Sequence, residues 1–193
     1  MWETAEKDKY NTAYDTGYFP KNILVGFPQF CKALTALVTT KIKLLDIGCG
    51  PGISLKIAQK HGIEAFGIDI AENCKQYWNG SRTLSIASAN NLPFTSGTFD
   101  VVSAWDVLEH IPEQAIDQTL KEIKRVSKLE GLQSVVICLT EEQCKHGDLQ
   151  CHLTVHNYDW WIAKINQAGF RPLSLKLDKS KTHLLALTTR IRR

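Results

Sequence analysis

The chain has 193 residues, a formal net charge of +3, 44% hydrophobic residues and 22% charged residues. This length predicts one domain, and the composition excludes a disordered or collagen-like chain. The mild positive charge argues against a dedicated nucleic-acid binder, so no nucleic-acid partner is expected. No apolar run reaches the roughly 18 residues of a membrane span. Because the N-terminus lacks the apolar segment of a signal peptide, we expect reduced cysteines and a cytoplasmic location.

Apolar runs alternate with helical patterns along the chain. Seven runs predict strands at 42–47, 64–70, 83–88, 99–105, 133–139, 171–177 and 183–189, and the apolar spacing predicts helices at 53–61, 112–128 and 158–169. Strands that alternate with helices predict an α/β sheet that is mainly parallel. The last two strands are joined by a short polar link, which indicates an antiparallel pair near the C-terminus.

A glycine-rich turn is the strongest chemical signal. The segment LLDIGCGPG (44–52) joins a predicted strand to a predicted helix, and Asp69 closes the next strand. Glycines at such a turn let a ligand approach the backbone, and a strand-end carboxylate can accept ribose hydroxyls. Ile53 replaces the last glycine of a dinucleotide-binding fingerprint, and no P-loop is present. Asp46 would repel a phosphate but suits an ammonium group.

This pattern, D-x-G-x-G-x-G followed by a strand-end acid, resembles class I S-adenosylmethionine-dependent methyltransferases, in particular small-molecule enzymes of the type 11-like group. Two further segments share the resemblance: NNLPFTSGTFDVVSAWDVLEHI (90–111) and NYDWWIAKINQAGF (157–170). The likeness is firm over about residues 40–140. It implies a Rossmann-like, doubly wound, seven-stranded sheet, S-adenosylmethionine as the cofactor and S-adenosylhomocysteine as the product.

The resemblance also implies roles for individual residues. Gly48, Gly50 and Gly52 would line the methionine and adenosine parts of the cofactor, and Asp46 would lie near its amino group. Asp69 would bind the ribose and Ile70 would pack on the adenine. Ser88 replaces the family's usual aspartate toward the adenine amino group, which leaves the neighbouring Ala89 N–H as a donor. Trp105 would flank the methionine part of the cofactor.

The N-terminal residues 1–40 are expected to form a helical lid or cap on a methyltransferase domain at 41–193. Tyr10, Tyr14 and Tyr18 are spaced four apart, which places them on one face of a helix. Related enzymes use such a segment to cover the cofactor, and we expect Tyr18 to contact it. The alternative is that these rings only pack on the edge of the sheet.

The segment 144–156 offers candidate proton acceptors. His152 and His156 follow the fifth predicted strand, and a histidine can take a proton from a hydroxyl or an amine. Alternatively, one or both only bind the backbone of the loop. Five residues of this segment have side chains of the types that bind zinc: Cys144, His146, Cys151, His152 and His156. Their spacing matches no closed structural zinc site. We expect no metal, and we expect a structural role for His110 and local capping or pairing for Glu109.

These observations lead to one preferred function and two alternatives. The preferred function is methyl transfer from S-adenosylmethionine to an O or N atom of a small-molecule or glycan-like acceptor. The first alternative is an RNA or protein methyltransferase, although WDVL (105–108) stands where amino-methyltransferases of nucleic acids carry a proline-rich tetrapeptide. The second is a non-enzymatic cofactor-binding module, for which Ser88 is the only hint.

Overall fold

The computed structural model describes residues 2–17, 26–141 and 150–190. Two compact units divide the chain, residues 1–89 and residues 90–193. Within the described ranges, no helix has both the length and the apolar character that crossing a membrane requires. The bounds of the elements in the first unit are α1 Trp2–Asp15, α2 Phe27–Leu37, β1 Lys43–Ile47, α3 Ile53–Lys60, β2 Glu64–Asp69 and β3 Leu84–Ile86. A 3₁₀ helix at Glu72–Tyr77 follows β2.

The first unit is built on three parallel strands in the order β3-β2-β1. The four residues of β1 after Lys43 are all buried, because both faces of a parallel strand are covered in α/β proteins. Leu44 and Leu45 have no exposed surface, and Ile68 on β2 is 1% exposed. This packing holds the carboxyl ends of β1 and β2 side by side, where the glycine turn and Asp69 follow.

The second unit holds the remaining elements. Their bounds are β4 Phe99–Trp105, α4 Glu113–Val126, β5 Ser127–Cys138, α5 Tyr158–Gln167, β6 Phe170–Leu177 and β7 His183–Arg190, with a 3₁₀ turn at Leu108–His110. The strand order is β4-β5-β7-β6. β4 and β5 are parallel, whereas β7 lies antiparallel to both of its neighbours.

Helix α4 anchors the core of the second unit. The predicted apolar face is confirmed, because Ile116, Leu120, Ile123 and Val126 are each at most 2% exposed. Pro112 precedes the helix as its N-cap residue. The helix ends at Val126, and β5 begins at the next residue, six positions before the predicted strand. The first residues of β5, SKLEGL, mix polar residues, leucine and glycine, and the three at 128–130 are exposed, so their pattern does not predict a strand.

The predicted fold class is confirmed. All seven predicted strands are present, most are parallel, and the antiparallel pair lies at the C-terminus as expected. Helix α2 lies within residues 1–40, which were expected to be helical, and Pro28 near its first turn is a usual start signal.

Candidate functional site

The glycine loop, residues Gly48–Gly52, turns sharply between β1 and α3. Gly48, Gly50 and Gly52 have φ values of 70°, 48° and 76°, a left-handed backbone that side chains disfavour. The loop is closed by a hydrogen bond from the Gly52 N–H to the Cys49 carbonyl at 2.9 Å. Gly48 is exposed, whereas Gly50 and Gly52 are buried. The glycines are therefore required by the path of the backbone itself.

Asp69 fixes this loop from the end of β2. Its Oδ2 accepts the N–H of Gly50 at 2.8 Å, and its Oδ1 accepts the N–H of Ala71 at 2.9 Å. Burial raises the pKa of this carboxyl, and hydrogen bonds from the backbone N–H groups of Ala71, Gly50 and Ile70 oppose that shift. Each carboxylate oxygen has a second lone pair. The residue predicted to bind ribose thus also shapes the turn beside it.

Two aromatic side chains lie against Gly50. The indole N–H of Trp78 donates to the Gly50 carbonyl at 2.8 Å. A Cβ atom added at Gly50 would lie 2.6 Å from the hydroxyl oxygen of Tyr14. Burial, and after it the negative charge of Asp69, raise the pKa of Tyr14, so its hydroxyl stays protonated as a donor. Tyr14, one of the two predicted tyrosines within the described residues, lies at the glycine loop.

The other cofactor candidates of this unit surround the same strand ends. Asp46 is 5% exposed, and its carboxylate accepts the hydroxyl of Ser54 from the first turn of α3. Ile70 follows β2 and is partly exposed, as packing on a flat ring requires. Ser88 and Ala89 follow β3 and are also partly exposed.

Helix α1 is held by polar contacts to the 3₁₀ helix that follows β2. The Asn73 side chain donates to the Asp15 carboxylate at 2.8 Å, and the Asn73 backbone N–H donates to the Asn11 side chain at 2.9 Å. Lys7 pairs with Glu72 at 2.6 Å. These contacts position Tyr14 at the glycine loop.

In the second unit, the predicted residues follow the carboxyl ends of β4 and β5. Trp105 ends β4, is half-buried, and donates its indole N–H to Ser134 of β5 at 3.0 Å. Asp106 comes next with φ 52°, a left-handed value that is uncommon for a residue with a side chain. The backbone then enters the 3₁₀ turn that contains Glu109 and His110.

Four side chains form what we call the Glu109 cluster: Glu109, His110, Cys138 and His152. Glu109 has no exposed surface, and its Oε1 accepts the N–H of Cys138 at 2.8 Å. Its Oε2 is buried and has no hydrogen-bond partner within the described ranges. The rings of His110 and His152 meet edge to face, with centroids 4.8 Å apart. Local capping was expected of Glu109, but its carboxylate instead joins β5 to the turn after β4.

His152 is buried and carries a raised pKa. Burial lowers this pKa, but hydrogen bonds to the Cys138 thiol and the Thr140 carbonyl, with the charge of Glu109, raise it to about 9. Burial and the charge of Asp106 raise the pKa of Glu109 to about 8. Burial raises the pKa of Cys138, but the bond to His152 and contacts with Thr140 outweigh it and lower the value to about 7.

His156 lies in a different environment. Its Nε2 is 2.9 Å from an oxygen of Glu113, and its ring stacks on Trp160 at a centroid distance of 4.0 Å. One third of its side chain is exposed. The His156 side chain therefore reaches solvent, whereas His152 is only 2% exposed.

Some sequence expectations fall outside the described residues, and one is wrong. Tyr18, Cys144 and His146 lie outside the described ranges. Cys31, Cys49, Cys74 and Cys138 are free thiols, as expected. Cys151 is disulfide-bonded, which contradicts the expectation of reduced cysteines for that residue. A sulfur engaged in a disulfide is not available as a zinc ligand.

Three contacts at the site were missed by the sequence reasoning. Nothing local marks Trp78 as a partner of Gly50, or Ser54 as a partner of Asp46. Cys138 is the last residue of β5, and this position at a carboxyl strand end is the signal that would have found it.

Comparison with known proteins identifies the same region. Residues 45–135 match the model of a family described as a methyltransferase domain. A ubiquinone biosynthesis O-methyltransferase from Methylococcus capsulatus is 33% identical over 95 residues, which cover 45% of this chain and 39% of that protein. The chain therefore spans well under half the length of this curated relative.

Two solved structures share the fold over nearly the whole chain. A 1,6-didemethyltoxoflavin-N1-methyltransferase from Burkholderia thailandensis, with bound S-adenosylhomocysteine, has a TM-score of 0.77 and 13% identity, and the match covers 99% of this chain and 89% of that one. A putative methyltransferase in complex with the Trm112 activator from Haloferax volcanii has a TM-score of 0.73 and 17% identity, covering 98% and 97%. The chain is therefore similar over residues 45–135 to a family described as a methyltransferase domain, and its strand order and glycine loop agree with this similarity to S-adenosylmethionine-dependent methyltransferases.

Proposed function

We propose that this protein transfers the methyl group of S-adenosylmethionine to an oxygen or nitrogen atom of a small-molecule or glycan-like acceptor. The observation that carries the proposal is the glycine loop held by Asp69. Its left-handed backbone turns tightly at the carboxyl ends of β1 and β2, where ligands of open α/β sheets bind. S-adenosylmethionine supplies the electrophilic methyl group. The residues of this chain bind and orient the cofactor and the acceptor, and they exclude water.

The residues of the first unit match the chemical groups of this cofactor. The Asp46 carboxylate suits the ammonium group, and the second lone pairs of Asp69 suit the ribose hydroxyls. Ile70 offers apolar surface for the adenine, while Ser88 and the Ala89 N–H serve its polar edge. Tyr14 adds a neutral hydroxyl beside the glycine loop, and the lid role proposed for residues 1–40 rests on this contact. In the second unit, Trp105 remains the candidate beside the methionine part.

A histidine is needed to take up a proton only when the oxygen or nitrogen atom that receives the methyl group arrives protonated. His156 suits this role better than His152, because Glu113 orients its ring and part of the ring reaches solvent. The raised pKa of His152 keeps its ring protonated at neutral pH, which opposes a role as the resting base. The mild net charge favours a small acceptor over RNA.

The first experiment titrates S-adenosylmethionine into the protein by calorimetry. Asp69→Asn removes the charge and replaces one acceptor oxygen by a donor, so affinity is expected to fall at least about tenfold, or about 1.4 kcal/mol. Asp117→Asn is the matched control, since Asp117 pairs with Lys164 on the surface of the second unit. It should leave the affinity unchanged.

Two outcomes would overturn the proposal or change it. Absence of binding by the wild-type protein at millimolar cofactor would refute the cofactor assignment. Binding without methyl transfer to any oxygen or nitrogen nucleophile in a broad acceptor screen would favour the non-enzymatic alternative. Binding of RNA with an affinity that falls steeply with salt would favour a macromolecular acceptor.

A further inference from the structure

The Glu109 cluster contains three donors of the kinds that bind transition metals. Glu109, His110 and His152 each offer one ligand atom, and these atoms all lie within 4.8 Å of one another. They come from separate parts of the second unit, the turn after β4 and the segment that precedes α5. Two imidazole nitrogens and one carboxylate oxygen form a donor set typical of catalytic zinc and non-haem iron.

Backbone carbonyl groups orient both histidine rings. His110 Nδ1 lies 3.0 Å from the Cys151 carbonyl oxygen, and His152 Nδ1 lies 2.7 Å from the Thr140 carbonyl oxygen. A carbonyl oxygen only accepts hydrogen bonds, so each Nδ1 carries the hydrogen. Nε2 then holds the lone pair that a metal requires once its own proton has left, so metal binding at neutral pH displaces a proton from His152. Metal-binding histidines are usually fixed by this kind of contact from the other ring nitrogen.

The carboxylate adds a second, independent observation. Glu109 is fully buried, and while Oε1 accepts the Cys138 N–H, the buried Oε2 has no hydrogen-bond partner in the described part of the chain. A buried carboxylate oxygen without a partner is costly, because it has lost its water without replacement. A cation beside Oε2 removes that cost. The neighbouring Asp106 carboxylate adds further negative charge at this place.

We propose that Glu109, His110 and His152 form a binding site for one divalent metal ion of the zinc class. Three protein ligands leave at least one coordination position open, as in catalytic rather than structural zinc sites. His110 is only partly buried, which leaves a route for the ion to enter. An open position accepts an oxygen or nitrogen atom of a small molecule. This site replaces the expectation that the chain binds no metal, and its existence does not depend on methyl transfer.

The test measures metal content and affinity, not activity. Protein purified without chelators is analysed for bound metal by mass spectrometry, and Zn²⁺ affinity is measured by competition with a chromophoric chelator. We expect one equivalent per chain. Glu109→Gln keeps an oxygen to accept the Cys138 N–H but removes the carboxylate charge. His110→Asn and His152→Asn each keep an N–H to donate to the carbonyl but remove Nε2. Each variant should weaken Zn²⁺ binding at least about 100-fold, because even outer-shell changes cost about 10–100-fold.

Matched controls separate this site from adventitious binding at surface histidines. His61→Asn and His156→Asn remove histidines outside the cluster and should retain wild-type affinity. Thermal melts with and without Zn²⁺ give a second readout, since ligand binding raises the midpoint only where the site is intact. Because His110 is partly exposed, the His110→Asn variant should fold even if the Glu109→Gln variant does not. The proposal is overturned if the wild type binds no Zn²⁺, if His110→Asn binds like the wild type, or if His156→Asn loses the metal equally.

Discussion

The glycine loop and the Glu109 cluster are two functional regions built by opposite means. The loop consists of consecutive residues, and its shape follows from glycines with left-handed φ values, with Asp69 as the main distant contributor. The Glu109 cluster joins Glu109 to Cys138, which lies 29 positions away in the chain, and brings the rings of His110 and His152 into contact. The first region depends on backbone conformation, and the second on charge and protonation. Changes of shape should therefore damage the loop most, and changes of charge should damage the cluster most.

The largest expected effect is that of Gly50→Ala. At φ 48° an alanine is strained by about 1–2 kcal/mol, and its Cβ would lie 2.6 Å from the Tyr14 hydroxyl oxygen. Displacing a packed ring adds about 1–3 kcal/mol. We expect the free energy of unfolding to fall by about 2–5 kcal/mol in urea titrations, together with a loss of S-adenosylmethionine binding.

Two comparison variants separate the strain from the clash. Gly62→Ala also places alanine at a positive φ of 77°, but its Cβ meets nothing within 4 Å, so only the strain should appear. The double variant Gly50→Ala with Tyr14→Phe removes the hydroxyl and leaves the nearest ring carbon at 3.6 Å. This double variant should recover part of the lost stability. If it recovers none, the contact between Tyr14 and Gly50 does not limit the loop.

The next effect concerns charge in the Glu109 cluster. The folded-state pKa values of Glu109 and His152 are raised to about 8 and about 9, so each group keeps a proton in the folded state at pH values where the unfolded state has lost it. Each group therefore lowers the stability as the pH rises, by up to about 1.4 kcal/mol per pH unit. The pKa of Cys138 is lowered to about 7, so this thiol acts in the opposite direction between about pH 7 and 9. Denaturation of chelator-treated protein should show a free energy of unfolding that falls between about pH 5 and 8.

Glu109→Gln should flatten the lower part of this pH profile, because glutamine does not titrate and keeps an acceptor for the Cys138 N–H. The part due to His152 should persist just above pH 6.5, where its loss begins, and Cys138 should offset it between about pH 7 and 9. Glu141→Gln, an exposed acid, should leave the profile unchanged. A wild-type profile that is level from pH 5 to 9 would contradict this account of the cluster.

The same contrast explains how much the sequence could predict. The turn at 44–52 and Asp69 follow from local rules, since glycine spacing and strand ends are visible in the chain. The contact of Tyr14 with Gly50 could be predicted only in part. The four-residue spacing of the tyrosines predicts that they share a helix face, but not which of them contacts the loop. The pairing of Glu109 with Cys138 was invisible, because it depends on the register between β4 and β5. Burial then changes the pKa values of Glu109 and His152, and no local pattern in the sequence marks these two polar residues as buried.

The smallest effect tests whether helix α1 contributes to the glycine loop. Asn73→Ala removes the side-chain bond to Asp15 and should cost about 1 kcal/mol, with a loss of cofactor affinity of about fivefold. Lys7→Met removes the exposed pair with Glu72 and should change the stability less than Asn73→Ala does, because solvent screens exposed ion pairs. Hydrogen exchange of α1 reports the same difference, since Asn73→Ala should speed exchange in α1 more than Lys7→Met does. If both variants leave cofactor affinity unchanged, the position of Tyr14 depends on its own burial, and α1 packs on the unit without serving as a lid.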